Sequence, residues 1–279
     1  MRKRRLTETR IGQFEEQLRA EEKSPVTIEK YLRDVRAFSE YMDGNPITKD
    51  AVVSYKQKLI EKGYAPASIN ASLASLHKLF SFYGWTDCCV KTIKVQRQVY
   101  CSAGQELTRE EYFRLLQAAK HKPRLRLLLQ TIGSTGIRVS ELQYFTVAAV
   151  RSGTILVSCK DKTRPVLVPG KLRKKLLQYC KNNGIAEGLI FRTRSGRPLD
   201  RSNVWSEMKK LCVSAGVNAA KVFPHNLRKL FAKVFYEVKK DIAKLADVLG
   251  HKSIDTTRIY LVSSGREHRQ LIKCLGLVT

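Results

Sequence analysis

Apolar residues recur at helical spacing through the first third of the chain, and this period constrains the fold more than any other feature. Breaks at Asn45-Pro46, Gly63 and Gly84 divide the pattern into segments the size of single helices. The period is clearest at Ile28, Tyr31, Leu32, Val35, Phe38 and Tyr41. One apolar face per helix is typical of a bundle, so residues 7–86 are predicted to form a compact domain of four helices. Residues 1–6 are interpreted as a basic tail without fixed structure.

A second domain is predicted over residues 107–279. It begins where Thr108 and Glu111 have the spacing of a capping box, and a strongly apolar helix follows from Pro123 to about Ile132. Residues 87–106 are basic and carry no clear period. We interpret them as a linker, and the sequence leaves open whether this linker lies along a bound polyanion or is simply solvated.

The second domain also contains strand-like segments. Thr154–Ser158 and Pro165–Val168 are predicted to pair as strands across a turn that includes Lys160–Arg164. Leu189–Phe191 is interpreted as a third short strand, and the pattern from about residue 200 is helical again. The expected fold class is therefore mainly α with a small antiparallel β-sheet, in which an N-terminal helical domain precedes a mixed α/β domain.

The formal net charge of the chain is +27, and it is unevenly distributed. Residues 1–100 hold 18 Lys and Arg against 12 Asp and Glu, whereas residues 101–279 hold 34 against 13. A solvated basic surface is the simplest explanation, but self-repulsion on this scale destabilises a compact fold unless a polyanion relieves it. Nucleic acid is therefore favoured over a membrane surface as the partner, with most contacts made by the second domain.

Targeting signals and cysteine spacing limit the other classes of protein. No apolar run approaches the ~20 residues of a membrane helix, and the basic start at Met1–Arg5 is not followed by the apolar segment of a secretory signal. We therefore expect a cytoplasmic protein. The seven cysteines show neither a Cys-x-x-Cys pair nor zinc spacing, which predicts reduced thiols, no structural metal and no cofactor.

Five polar residues late in the chain suit one reaction, the attack of a phenol oxygen on a phosphodiester. They are Arg138, His225, Arg228, His251 and Tyr260. Guanidiniums are planar, permanently charged donors that suit the negative charge of a five-coordinate phosphorane, and histidines can exchange protons near neutral pH. A tyrosine can hold the cut strand covalently, so that no ATP is required, and the guanidiniums supply the charge for which a divalent metal would otherwise be needed.

Each of these residues also has an ordinary structural interpretation. Arg138 would then be a surface arginine, and His225 a histidine that caps a helix. His251 would lie at a helix C-terminus, and Tyr260 would be a half-buried core tyrosine. Glu141 is expected to have a structural role, holding Arg138 or a backbone amide. Lys160 is the candidate that protonates the leaving oxygen, but Lys162 and Arg164 lie on the same predicted turn.

Taken together, the segments around these residues resemble the signature blocks of the tyrosine recombinase (phage integrase) family. Thr135–Leu142 is similar to the block that carries the first arginine of the family, and His225–Arg228 is similar to its His-x-x-Arg block. Leu249–His251, together with Thr256–Tyr260, is similar to the block that ends in the nucleophile. Lys160 aligns with the β-hairpin lysine of the family. The resemblance covers residues 107–265 closely and residues 7–86 less specifically. One departure is Lys229, where many members have a histidine.

The resemblance implies a site-specific recombinase of mobile or chromosomal elements that uses a 3′-phosphotyrosine and a Holliday junction for integration, excision or resolution. Its partners would be double-stranded DNA recombination sites and, in some systems, accessory proteins. The free chain would be a monomer, four copies would assemble on DNA, and the two domains would clamp the duplex. The tail at 263–279 is long enough to pack on a neighbouring protomer. Two alternatives stay open, a DNA-binding protein of this fold without catalysis and a relaxase similar to type IB topoisomerases.

Overall fold

The computed structural model describes residues 4–94, 105–159, 162–251 and 253–261, apart from the side chains of Cys159 and Lys162. The chain divides into two compact units, residues 1–97 and residues 98–279, and each has its own apolar core. Residues 95–104, which are half of the predicted linker, and the whole predicted C-terminal tail lie outside the described residues. Within the described ranges, no helix is both long and apolar enough to cross a membrane.

The N-terminal unit is a bundle of four helices, as the periodicity predicts. Hydroxyl side chains begin three of them, because Thr7, Ser24 and Thr48 each accept a hydrogen bond from a backbone amide of the first turn. Phe14 and Phe38 are fully buried between the helices. The helices are α1 Glu8–Ala20, α2 Pro25–Met42, α3 Lys49–Glu61 and α4 Pro66–Phe82, followed by a 3₁₀ turn at Thr86–Cys88.

The basic N-terminal segment does not form the free tail that its composition predicts, at least from residue 4 onward. The carbonyl oxygen of Arg4 accepts a hydrogen bond from the amide of Ile47 at 2.7 Å, and the Arg4 guanidinium pairs with Asp87 at 2.5 Å. Leu6 is 9% exposed and belongs to the core of the bundle. For residues 4–6 the prediction was wrong, because the burial of Leu6 and the backbone hydrogen bond of Arg4 outweigh the polar character of the segment; residues 1–3 lie outside the described residues.

The C-terminal unit is mostly helical and contains one antiparallel pair of strands, so the predicted fold class is confirmed. Its core joins apolar residues of α6 such as Leu129 to Leu227 of α11. The elements, in order, are α5 Arg109–Ala118, α6 Pro123–Thr135, a 3₁₀ helix at Val139–Tyr144, α7 Val147–Ser152, β1 Thr154–Cys159, β2 Lys162–Leu167, α8 Gly170–Asn182, α9 Arg201–Lys209, α10 Cys212–Ala215, a 3₁₀ turn at Ala219–Lys221, α11 Pro224–Lys239, α12 Ile242–Leu249 and α13 Ile254–Arg258.

The hairpin differs from the sequence prediction. Lys162 pairs with Cys159, and Arg164 pairs with Val157. Both strands therefore extend further toward the turn than predicted, and only residues 160 and 161 lie between them. Arg164 is therefore a strand residue and not a turn residue. Sequence missed this because the pairing depends on the opposite strand, which local composition does not report.

Two further expectations about this unit were wrong. The predicted third strand is only an isolated bridge between Leu189 and Thr146, because Ile190 and Phe191 enter the core instead of a sheet. The apolar helix was expected to reach about Ile132 and to be ended by Gly133 and Gly136, but α6 passes Gly133 and continues to Thr135. Its end comes at Gly136, whose φ of +65° is the left-handed conformation that favours glycine at a helix C-terminus.

Candidate active site

The turn after α6 holds Arg138 through Glu141. The backbone amide of Arg138 donates to Oε2 of Glu141 at 2.8 Å, and its Nη1 donates to Oε1 at 2.9 Å. Glu141 is 2% exposed, whereas the Arg138 side chain keeps 37% of its surface in solvent. Glu141 therefore has the expected structural role, and Arg138 keeps an accessible guanidinium.

Arg228 lies on α11 and is 1% exposed. Its Nη1 donates to the carbonyl oxygen of Gly136, and its Nη2 donates to the carbonyl oxygen of Leu249 at 2.6 Å. This one side chain therefore connects the ends of α6 and α12. Its Nε is buried and finds no acceptor among the described residues. A buried donor without a partner is costly, and a ligand oxygen would reach this nitrogen only if the surrounding groups move apart.

His251 follows the C-terminus of α12 and contacts Arg228. Its Nε2 is 3.1 Å from Nη2 of Arg228, and its Nδ1 is 2.8 Å from Oγ1 of Thr257. The His251 amide also donates to the carbonyl oxygen of Ala246 at 3.0 Å. The imidazole is therefore held from both sides and from its own backbone.

Tyr260 lies between the two candidate histidines. The centroid of its ring is 5.1 Å from the centroids of both His225 and His251, with edge-on angles of 75° and 67°. The residue is 7% exposed and packs with Leu245 and Leu249. The core interpretation of Tyr260 and the nucleophile interpretation are therefore compatible, because the ring is buried among the candidate groups.

His225 does not cap its helix. It is the second residue of α11, whose N-cap is Phe223, and it is exposed, whereas Arg228 three residues later is buried. The structure thus brings Arg138, His225, Arg228, His251 and Tyr260 into one cluster. The sixth predicted residue, Lys160, lies outside the described residues.

Positive charge and burial both favour neutral histidines in this cluster. Although His225 keeps contact with solvent, the atoms packed around its ring desolvate it in part, and this effect, followed by the charges of Lys229, Arg228 and Arg138, lowers the pKa of His225 below its ordinary value. Burial and the same two arginines lower the pKa of His251 to about 4. Burial and nearby Arg138 lower the pKa of Arg228 to about 10, an effect that the adjacent Tyr260 opposes. With Arg138, Arg164 and Arg228 against the single charge of Glu141, the described groups of the cluster carry an excess of positive charge, which a phosphate would balance.

Sequence reasoning missed two residues that support this cluster. Arg164 of β2 donates to Oε2 of Glu141 and to the carbonyl oxygen of Val248, both at 2.8 Å. Thr257 is fully buried against His251. The sequence signal for Arg164 was its position four residues after Lys160 on the predicted turn. The signal for Thr257 was its position three residues before Tyr260.

No metal site accompanies the cluster in the described ranges, where no group of three or more His, Cys, Asp or Glu side chains is placed to hold an ion. The four cysteines whose side chains are described, Cys88, Cys89, Cys180 and Cys212, are free thiols.

Known proteins resemble the chain over nearly its whole length. The phage integrase family model matches residues 105–266, and the model of the phage integrase N-terminal SAM-like domain matches residues 11–86. The tyrosine recombinase XerA of Thermococcus kodakarensis is 32% identical over 260 residues, which cover 90% of this chain and 89% of the relative. The tyrosine recombinase XerD of Halalkalibacterium halodurans is 26% identical over 84% of this chain and 86% of its own.

A solved structure shows the same fold. A lambda integrase tetramer bound to a Holliday junction matches with a TM-score of 0.71 at 20% identity, covering 90% of this chain and 76% of the integrase chain.

Proposed function

Since the chain belongs to the phage integrase family of tyrosine recombinases, it is a site-specific recombinase, and we propose that Tyr260 is the nucleophile with which it cuts and rejoins DNA. The observation that carries this proposal is the position of the Tyr260 ring, 5.1 Å from the rings of both His225 and His251. The same tyrosine is adjacent to the buried guanidinium of Arg228.

In the proposed reaction the Tyr260 oxygen attacks the phosphorus, forms a 3′-phosphotyrosine bond and breaks the bond to the 5′-oxygen. His225 accepts the phenolic proton, because its lowered pKa keeps the imidazole neutral near pH 7. Lys160, which sequence places between β1 and β2, gives a proton to the leaving 5′-oxygen. A 5′-hydroxyl from another strand then reverses the attack, so the phosphodiester energy is kept and no ATP is needed.

Two arginines supply the charge that the phosphorane requires. Arg138 presents an accessible guanidinium, and Arg228 presents a buried one whose Nε lacks a protein acceptor among the described residues. Fixed donors aimed at developing negative charge typically contribute ~3–4 kcal/mol each to the transition state. His251 donates a further hydrogen bond to a phosphate oxygen. The arginines thus do the work that divalent metals do in other phosphoryl-transfer sites.

We propose double-stranded DNA recombination sites as the substrate and a tetramer as the assembly in which strands are exchanged through a Holliday junction. The net charge of +27 supports a DNA partner, and a lambda integrase of the same fold forms a tetramer on such a junction. We also propose that the two units clamp the duplex and that the chain is a monomer when free of DNA. Its recombination sites would belong to a mobile element or to a chromosome.

A recombination assay tests this function against the alternatives. Selection from random duplexes gives a bound sequence, and a plasmid carrying two copies of it is incubated with the chain in excess chelator. A recombinase produces a deletion circle and needs both copies. A catalytically inactive DNA-binding protein would leave the plasmid unchanged, and a topoisomerase-like enzyme would relax a plasmid that has no copy at all.

A further inference from the structure

His251 has a second partner to which the proposed reaction gives no role. While its Nε2 contacts Arg228, its Nδ1 is 2.8 Å from the hydroxyl oxygen of Thr257. Thr257 is 0% exposed and lies on α13, three residues before the proposed nucleophile. Its carbonyl oxygen also accepts a hydrogen bond from the amide of Tyr260 at 3.0 Å. Thr257 therefore contacts a proposed catalytic residue on each side.

The chemistry of these contacts fixes the proton on His251. A guanidinium is only a donor, so Nε2 of His251 accepts from Arg228 and carries no proton while that 3.1 Å contact is kept. In the neutral imidazole the proton is then on Nδ1, which donates to the hydroxyl oxygen of Thr257. The lowered pKa of His251, about 4 because of burial and the charges of Arg228 and Arg138, agrees with a neutral ring.

We infer that Thr257 is a positioning residue that holds His251 in the Nδ1–H tautomer while DNA is absent and permits the opposite tautomer once a phosphate is bound. The inference rests on the proposed function, in which His251 donates from Nε2 to a phosphate oxygen. That donation requires Nε2 to take a proton from water and Nδ1 to release one, with no change in net charge. The Thr257 hydroxyl then donates to the bare Nδ1.

A hydroxyl suits this position because it both donates and accepts hydrogen bonds, whereas an ionised carboxylate only accepts. A carboxylate at this position would also favour a charged imidazole, which would repel Arg228 before any phosphate arrives. Thr257 thus keeps the free site neutral at His251 and leaves the ring able to reverse its hydrogen bonds.

The direct test is to measure which imidazole nitrogen of His251 carries the proton. We would label the imidazole nitrogens of the full chain with ¹⁵N, record long-range ¹H–¹⁵N correlations at pH 7 without DNA, and assign His251 among the five histidines with a His251→Gln variant. The wild type is expected to show a protonated Nδ1 and an unprotonated Nε2. Thr257→Val keeps the shape and removes the hydroxyl, so the buried Nδ1–H loses its acceptor and this cost opposes the contact between Nε2 and Arg228. The variant should therefore give mixed tautomers, and Thr257→Ser should restore the wild-type spectrum.

Covalent attachment to a nicked duplex of the selected sequence provides a second measurement. Thr257→Val should slow it by roughly tenfold, as expected from the loss of one hydrogen bond, and Thr257→Ser should restore the rate. A wild-type His251 protonated on Nε2, or a Thr257→Val spectrum equal to that of the wild type, would overturn the inference. If Thr257→Val did not fold, Thr257→Ala, which also removes the hydroxyl, would take its place in both measurements with the same expected results. No attachment by the wild type would instead refute the proposed function and leave the tautomer result standing.

Discussion

At the scale of single residues, the site is built around positive charge that the protein itself does not neutralise. Arg228 is fully buried, yet backbone carbonyls and an imidazole hold its guanidinium. The nearest carboxylate in the cluster, Glu141, is already occupied by Arg138 and Arg164. Burying a charge without a counterion is costly, so this cost is carried until a phosphate binds. Residues that could ionise nearby, such as His251, are kept neutral for the same reason.

The neutral state of His251 predicts how stability changes with pH. Its pKa is about 4 in the folded chain and ~6.5 when unfolded, so the unfolded chain binds a proton first as the pH falls. The stability contributed by His251 is fully present above pH ~6.5 and is lost as the pH falls toward 4. The slope for this one group is at most about 1.4 kcal/mol per pH unit.

Urea unfolding of the wild type and of His251→Gln at several pH values checks this prediction. Glutamine does not titrate, so the variant should lose less stability than the wild type between pH 6.5 and 4, while His225 contributes equally to both. Parallel curves for the two proteins would mean that His251 ionises as readily in the folded chain as in the unfolded one.

At the scale of elements, the site forms where three helix ends meet. The C-terminus of α6, the first turns of α11 and the C-terminus of α12 are joined by Arg228, and Gly136 makes the junction close. A Cβ atom at Gly136 would overlap the ring of Phe231 and contact Leu249, and its φ of +65° already disfavours other residues. Arg164 adds β2 to the same junction through Glu141 and Val248.

The close approach at Gly136 gives a prediction about stability. Gly136→Ala should cost ~1–2 kcal/mol for the left-handed conformation and a further ~1–3 kcal/mol for overpacking against Phe231. Gly216→Ala is the matched control, because its φ is +59° and nothing lies within 4 Å of the added Cβ. Denaturant unfolding should show a clearly larger loss for Gly136→Ala. Equal losses would mean that the three helix ends do not pack closely at this glycine.

Local signals explain which of these elements the sequence could predict. The starts of α2, α3 and α5 were predictable because Ser24, Thr48 and Thr108 cap the first turns that follow them. Arg164 could not be placed, because its strand register and its contact with Glu141 depend on residues far away in the chain. The buried role of Thr257 was invisible for the same reason, although its neighbour Tyr260 was recognisable from its motif.

At the scale of the whole molecule, the excess positive charge is concentrated in residues 101–279. Recombination nevertheless requires the protein to hold the duplex firmly, and contacts outside this region can contribute to that hold. The described start of the linker carries two exposed lysines, Lys91 and Lys94. Whether the linker follows the DNA or is simply solvated was left open by the sequence. The proposed clamp favours the first option, because a chain that wraps a duplex must cross it between the two units.

Salt dependence distinguishes these two options. Each neutralised phosphate contributes roughly −0.9 to the slope of log affinity against log salt concentration. Lys91→Gln combined with Lys94→Gln should therefore reduce the steepness of that slope by close to ~2, equally on selected and random duplexes, because phosphate contacts carry no sequence information. An unchanged slope would show that the linker is solvated away from the DNA.

Tyr260 is expected to become covalently joined to DNA, and peptide mapping tests this attachment most directly. A nicked duplex of the selected sequence traps the intermediate, and mass spectrometry of the digested complex locates the attached nucleotide. We predict attachment at Tyr260, none in Tyr260→Phe despite nearly unchanged DNA binding, and normal attachment in Tyr236→Phe, whose partly buried ring lies in the same small cluster. A nucleotide attached to any other residue, or an adduct that persists in Tyr260→Phe, would contradict the account.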